Sequence, residues 1–259
     1  MTSLKSMREN PLYTSSLILH GNNKLKDYTD DGGYAYRYAQ FNTRPIKDCP
    51  MRSAGCEAVC YATKGNHLFP SVRESRERSY NVSRRDDFSD VMTHTIRTEK
   101  QSKRYADATM IIRIHESGDF YSVQYLRKWL EVWTNVETVD GVMSVFYTKS
   151  FPFFLMLTEA ETATVNRLLE AGKLAMNLSV DDTTTSEQWK AVFEMKRRFP
   201  KANIYRCTED VENTEHDNVC DCSDCARCGH CNKGTGKTTV VKIHSASGAD
   251  MEVYRANKK

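Results

Sequence analysis

Apolar and polar positions along the chain alternate between two periods, one typical of strands and one typical of helices. Segments such as 109–114, Thr-Met-Ile-Ile-Arg-Ile, are nearly continuous in apolarity, as expected for a strand that is covered on both faces. We predict strands at 34–41, 109–114, 142–147, 173–180, 203–206 and 238–244. Helical spacing predicts helices at 122–134, 152–171 and 186–199, and two helices within 71–100 that are divided near 84–87. Residues up to about 31 show no clear period and are predicted to be irregular.

Strands that alternate with helices predict an α/β protein with a parallel sheet. We expect a partial parallel β/α barrel of about five or six strands over residues 1–206. Residues 207–259 are expected to form a Cys-rich extension that binds a metal or a cluster and contains a short strand.

The segment 49–60 places three cysteines, Cys49, Cys56 and Cys60, in a polar, turn-rich loop after the first strand. The gaps of six and three residues do not present one face of a regular helix, so the loop is expected to wrap around what it binds, with Pro50 and Gly55 permitting the bends. Packing accounts for single buried cysteines but poorly for three in such a loop. Three thiolates leave one metal position open, where chemistry can occur.

Polar side chains follow the predicted strands, and the carboxyl ends of parallel strands meet at one edge. The residues expected at that edge beside the cysteine loop are His115, Glu116, Asp119, Lys149, Ser179, Asp181 and Cys207. This coincidence predicts an active site. In contrast, basic residues such as Arg76 interleave with acidic ones between 71 and 87, which predicts a solvated helical face.

A second cysteine group comprises Cys207, Cys220, Cys222, Cys225, Cys228 and Cys231. Cys-x-x-Cys spacing lets two sulfurs converge on one metal, and it occurs both in zinc sites and in iron–sulfur ligation. We expect four ligands from this set, with Cys220 and Cys222 as alternatives. His230 is expected to be a bystander.

Composition narrows the class of protein. A formal net charge of +3, from 37 basic and 34 acidic residues, does not indicate a nucleic-acid binder. No run of about 18 apolar residues is present, so no membrane partner is expected. The polar start of the sequence lacks an apolar signal core, and a cytoplasmic location is expected. Thiols stay reduced there, which favours metal ligands over disulfides for the 9 cysteines.

The chain resembles a bacteriophage family known as gene product eighty-eight, which pairs an early cysteine loop ending in Cys-Tyr-Ala with a late cysteine cluster. The resemblance is carried by segments 56–62, 113–120, 147–150 and 225–231. If the protein is phage-encoded, its location is the host cytoplasm.

The layout also resembles, more distantly, the radical S-adenosylmethionine superfamily, whose usual cysteine gaps are three and then two. That resemblance implies a 4Fe-4S cluster on Cys49, Cys56 and Cys60, an open iron chelated by S-adenosylmethionine, and reductive cleavage of its sulfonium. It also implies an auxiliary cluster on the late cysteines. The cofactor-binding residues implied are Glu116, Ser117, Gly118, Asp119, Ser179 and Asp181.

Two functions from different classes are therefore expected. The first is an iron–sulfur enzyme that uses S-adenosylmethionine and modifies a nucleotide, a nucleic acid or a peptide. The alternative is a non-catalytic binding protein, stabilised by zinc or a cluster, that contacts host protein or nucleic acid. An iron–sulfur protein that no longer binds the nucleotide cofactor lies between them.

Overall fold

The computed structural model describes residues 17–20, 27–220, 229–243 and 246–258. Within these ranges the chain is a mixed α/β protein built on a mostly parallel sheet. The strands are β1 Leu19–His20, β2 Tyr28–Thr29, β3 Ala35–Phe41, β4 Thr109–Ile114, β5 Val142–Thr148, β6 Leu174–Asp181, β7 Asn203–Thr208, β8 Asn218–Cys220 and β9 Thr238–Lys242. The α-helices are α1 Ala54–Ala58, α2 Pro70–Ser83, α3 Phe88–Lys100, α4 Val123–Val136, α5 Phe151–Leu155, α6 Glu159–Glu170, α7 Ser186–Arg198 and α8 Gly248–Ala256. Short 3-10 helices span Tyr61–Thr63, Gly65–Leu68 and His230–Asn232.

The sheet order in the described residues is β1-β3-β4-β5-β6-β7-β9-β8, with β2 also paired to β3. The two short strands β1 and β2 run antiparallel to β3, and every later pairing is parallel. The carboxyl ends of the parallel strands therefore meet at one edge of the sheet, where ligand sites of α/β proteins form.

The sheet has two different faces because side chains alternate along each strand. Met110, Ile112 and Ile114 of β4 are fully buried in the core that the sheet shares with the helices. Ile111, from the same strand, belongs to a separate buried cluster with Tyr38, Val145 and Ala175. We call the side of the sheet that carries this cluster the second face. By strand register, it also carries Arg113, Tyr147, Asn177, Ser179, Asp181, Tyr205 and Cys207.

The six strands predicted from the sequence are all present, as are the two helices on either side of residues 84–87. β7 continues to Thr208 and so includes Cys207 within the sheet. His244, which was predicted to end the last strand, lies outside the described residues.

Two predictions about secondary structure differ from the structure. The predicted helix 152–171 is two helices, because Thr158 forms a capping box with Glu161 and starts α6 anew. The segment before residue 31 was predicted to be irregular, yet it contributes β1 and β2, each too short to show a strand period. None of the helices in the described ranges is both long and apolar enough to cross a bilayer.

Candidate functional site

The cysteine loop leaves β3 and is fastened to the loop that follows β4. The amide oxygen of buried Asn42 accepts hydrogen bonds from the backbone N–H groups of Glu116 and Ser117, at 2.8 and 3.2 Å. Asp119 N–H donates to the backbone oxygen of Asp48 at 2.9 Å, one residue before Cys49. The carboxyl ends of β3 and β4 therefore hold the beginning of the loop in place.

The middle of the loop is the short helix α1, which carries Cys56 and lies against the end of β6. Ser53 caps this helix by accepting a hydrogen bond from Cys56 N–H, and its own hydroxyl donates to Asp181. Gly55 N–H donates to the Thr183 hydroxyl at 2.8 Å. The sequence predicted a bend at Gly55, but Gly55 is needed instead for close packing. A Cβ atom there would lie 2.5 Å from the Tyr254 ring.

The end of the loop is held by Arg76 of α2. The sequence predicted a solvated position for Arg76, and this was wrong, because its side chain is buried. Its guanidinium donates to the backbone oxygen of Ala62 at 3.1 Å and contacts His67 Nδ1 at 2.8 Å. Tyr61, next to Cys60, donates its hydroxyl hydrogen bond to the Glu116 backbone oxygen.

The three thiols of the loop are half-buried and lie within electrostatic range of one another. Burial raises the pKa of Cys49, with further contributions from the charges of Asp119, Cys56 and Cys60. Burial raises the pKa of Cys56 to about 11, against the opposing attraction of Lys149. The pKa of Cys60 is also raised by burial. Without a metal these thiols are neutral at pH 7, so a metal that binds them must displace protons.

The donor set of the loop suits a thiophilic metal, since it supplies three sulfurs that influence one another electrostatically. In the part of the chain that the structure describes, however, no three His, Cys, Asp or Glu side chains are arranged to hold a metal ion. Closure of the three sulfurs around one centre would therefore require movement within the loop.

A buried ion pair lies beside Cys56. Lys149 Nζ, after β5, is 2.8 Å from Asp181 Oδ2 at the end of β6, and the two side chains are 9% and 4% exposed. Lys149 also donates to the Ser179 backbone oxygen at 3.2 Å. The other oxygen of Asp181 accepts from the Thr183 N–H and hydroxyl, at 2.9 and 2.6 Å.

Both members of this pair are charged. Burial raises the pKa of Asp181, but Lys149 and the surrounding hydrogen bonds outweigh burial and lower it to about 2. Burial lowers the pKa of Lys149, yet attraction to Asp181 and Cys56 leaves it above its ordinary value. The lysine therefore places a fixed positive charge within electrostatic range of the Cys56 thiol.

Asp119 braces the ends of β4 and β5. Its carboxylate accepts hydrogen bonds from Phe120 N–H, the Thr148 hydroxyl and Lys149 N–H, at 2.7, 2.8 and 2.9 Å. Burial nonetheless raises its pKa. The cap of helix α4 is Ser122 and not Asp119.

Glu116 and the two residues after it have different roles in the loop that follows β4. Ser117 is buried and donates to the Thr43 backbone oxygen at 2.6 Å. Gly118 has φ +86°, and a Cβ there would lie 1.9 Å from the Thr43 hydroxyl, so only glycine fits. Glu116 is half-buried, and its charge acts on Arg76.

His115 lies on the helix side of the sheet rather than with the thiols. Its φ of 62° turns the chain out of β4, and its Nε2 atom is 2.9 Å from the hydroxyl of Tyr125 in α4. Burial, with the charge of Arg113, lowers the pKa of His115 to about 3. The ring is therefore neutral at physiological pH and packs edge-on against Phe120.

Cys207 and Cys220 occupy one row of the second face. Asp181 pairs in register with Cys207, which pairs with Val241, which pairs with Cys220. Cys207 is also within electrostatic range of Lys149. Of the late cysteines in the described residues, Cys207 thus lies with the early group.

Cys231 lies elsewhere along the sheet. Its backbone oxygen accepts a hydrogen bond from Asn177, four residues before Asp181 and about 13 Å away along β6. Cys222, Cys225 and Cys228 lie outside the described residues.

Several residues of this site were not found from the sequence. No sequence motif marks Thr183 or Tyr254. Their contacts with Gly55 arise only when α1 and α8 pack in the folded protein. Arg113 did carry a signal, since it is a charged residue inside an otherwise apolar strand.

Comparison with known proteins identifies the family. The chain is 29% identical over 171 residues to the "Gene 88 protein" of Mycobacterium phage D29. The aligned segment covers 60% of this chain and 69% of that protein. No solved structure matches the chain. A family model described as Gene product 88 matches residues 16–234, which is most of the chain. These names state no reaction, but they connect the chain to bacteriophage proteins, and it belongs to the Gene product 88 family.

Proposed function

We propose that this phage-type protein is an iron–sulfur enzyme whose cysteine loop holds a 4Fe-4S cluster at the carboxyl edge of a partial β/α barrel. In this proposal Cys49, Cys56 and Cys60 each bind one iron and leave the fourth iron open. When bound, such a cluster supplies single electrons and an open coordination position. The barrel would be formed by the parallel strands, with the second face of the sheet inside.

One observation carries the proposal: three thiols on a single loop lie within electrostatic range of one another, and Cys56 lies beside the buried Lys149–Asp181 pair. Thiolates are the ligands that iron–sulfur clusters require. A site at the carboxyl edge of parallel strands is also the usual place for chemistry in α/β proteins.

The chain's own groups would have distinct roles around such a centre. Lys149 stabilises the thiolate form of Cys56 by its charge, and Asp181 holds Lys149 in place. Asp181 also fixes α1 through Ser53, so the ion pair and the cysteine helix form one unit. Asn42 holds the loop after β4 against the cysteine loop, which sets the depth of the site.

The radical S-adenosylmethionine resemblance extends the proposal to that cofactor. Glu116, Ser117, Gly118 and Asp119 would bind its methionine part, and Ser179 or Asp181 its carboxylate or ribose. The carboxylates of Asp119 and Asp181 already accept several hydrogen bonds within the protein. Direct contacts would then rest more on Glu116 and Ser179, which are half-buried.

A second metal centre on the late cysteines is part of the same proposal. Its ligands would come from Cys207, Cys220 or Cys222, Cys225, Cys228 and Cys231. Cys207 lies near the early site, while Cys231 lies further along the sheet. The position of Cys207 therefore supports its assignment to the late centre less than the position of Cys231 does.

The test is anaerobic purification followed by iron, sulfide and zinc analysis and electron paramagnetic resonance. We expect brown protein, and the Cys56→Ala variant should lose about four irons and its reductive cleavage of S-adenosylmethionine. The matched control is Cys231→Ala, which should affect only the late centre. Colourless protein containing zinc would support instead the metal-stabilised binding protein. Cleavage that persists in Cys56→Ala would refute the site assignment.

A further inference from the structure

Arg113 is a charged residue on the second face that has no counterion among the residues the structure describes. It lies in β4 between Gln40 and Val145 of the neighbouring strands, and its side chain is half-buried. Across the described residues, no hydrogen bond or ion pair reaches its guanidinium, and its Nε atom is completely buried without a partner. Because a guanidinium has five N–H donors and keeps its charge, such a position is costly unless something else pairs with it.

The Tyr147 ring contacts this guanidinium, and the Tyr205 ring packs against Tyr147. Arg113 lies 3.7 Å from the centroid of the Tyr147 ring, and Tyr205 packs edge-on against Tyr147 at 4.7 Å between centroids. Stacking on a ring restricts the plane of the guanidinium, and its two terminal NH2 groups, rather than the buried Nε, are left to bind a ligand. The arrangement therefore presents a rigid, oriented fork of donors.

In the described part of the chain, neither Asp181 nor Glu116 is paired with this guanidinium. Asp181 is paired with Lys149 at 2.8 Å. The Glu116 carboxylate acts electrostatically on Tyr61 and Arg76. Arg113 is within electrostatic range of Tyr61, the residue after Cys60, so the fork lies close to the cysteine loop.

We propose that Arg113 binds an oxyanion, a carboxylate or a phosphate, of the molecule on which the protein acts. A planar fork matches two oxygens of either group and forms short, charge-assisted hydrogen bonds with them. The inference rests on the proposed function for its identification of the ligand as substrate. The anion site itself requires only Arg113 and the two rings.

The experiment is a calorimetric titration of the anaerobically purified full chain with inorganic phosphate and, separately, with acetate, at constant ionic strength. We expect saturable binding of at least one anion, weakened at least tenfold in Arg113→Gln. Arg113→Lys keeps the charge but loses the fork, and it should fall between the two. Should Arg113→Gln fail to fold, the weakening in Arg113→Lys decides the question.

The matched control is Arg37→Gln, which removes a half-buried strand arginine that already lies 3.8 Å from Asp27. This variant should bind the anions as the unaltered protein does. The anion that saturates identifies the group, phosphate or carboxylate. Absence of saturable binding of both, or equal binding by Arg113→Gln, would overturn the inference. Anion binding by a colourless zinc protein would refute the proposed enzyme and support the anion site. A brown protein without anion binding would refute the anion site and support the proposed enzyme.

Discussion

Replacing Lys149 by methionine should leave Asp181 as a buried carboxylate without its counterion. Against the opposing effect of burial, Lys149, Ser53 and Thr183 together lower the pKa of Asp181 from 3.8 to about 2, which corresponds to about 2 kcal/mol of native-state stability. Removing one partner of a buried pair costs about 3–5 kcal/mol, but Ser53 and Thr183 still donate to Asp181. We therefore expect Lys149→Met to lower the free energy of unfolding by about 2–4 kcal/mol at pH 7.

The cost should depend on pH in a defined direction. A depressed carboxyl pKa contributes stability that is complete above 3.8 and is lost as the pH falls through about 2. The difference between the unaltered protein and Lys149→Met should therefore shrink between these two values. Urea unfolding followed by circular dichroism, at pH 7 and at steps down to pH 2, measures it.

The matched control is Lys128→Met. Lys128 is also partly buried, but it donates to the backbone oxygens of Ser83 and Arg85 rather than to a carboxylate. Its substitution should lower stability by an amount that does not change between pH 4 and 2. A loss below about 0.5 kcal/mol for Lys149→Met, or one that is the same at every pH, would refute the reasoning.

Three further predictions follow from the same contacts. Gly55→Ala should cost about 1–3 kcal/mol by thermal unfolding, since the added Cβ meets Tyr254 and Thr183, whereas Gly248→Ala, with nothing within 4 Å, should cost much less. Cys56 in metal-free protein should react with iodoacetamide very slowly at pH 8 and faster towards pH 11, as mass spectrometry can follow, and rapid reaction at pH 8 would contradict its burial. His115 should lower the free energy of unfolding as the pH falls from 6.5 towards 3, because the unfolded chain binds the proton at a higher pH than the folded protein does. The dependence of that free energy on pH should be weaker in His115→Asn. An imidazole signal that titrates near 6.5 in the folded protein would contradict this prediction.

The centre of the sheet could be predicted from the sequence because β4, β5 and β6 are six to eight residues long and largely apolar, and each is followed by a helical period. The break between α5 and α6 could not be predicted from the sequence, because an apolar run continues across it. The cap at Thr158 ends that run locally and starts a new helix. Of the residues that the sequence placed at one edge, Lys149 and Asp181 form an ion pair, and Cys207 pairs in register with Asp181.

The site was harder to predict where the backbone changes direction after a strand. His115 was expected at the active edge, but a positive φ turns its side chain to Tyr125 and the core. Asp119 and Asp181 are both polar residues at strand ends, and only the structure reveals that their oxygens are largely used by neighbouring donors. Whether the cysteine loop holds iron, zinc or no metal stays a prediction.

The packing of α8 on α1 has a consequence for biosynthesis. Gly55 lies against Tyr254 of α8, and Lys64 forms an ion pair with Asp250 at the start of that helix. During synthesis, all three early cysteines therefore leave the ribosome before the residues of α8, which pack against α1. A cluster inserted at that stage would enter a site that α8 does not yet support. Under the proposed function, cluster insertion should therefore follow the docking of residues 248–256 rather than the synthesis of the cysteines.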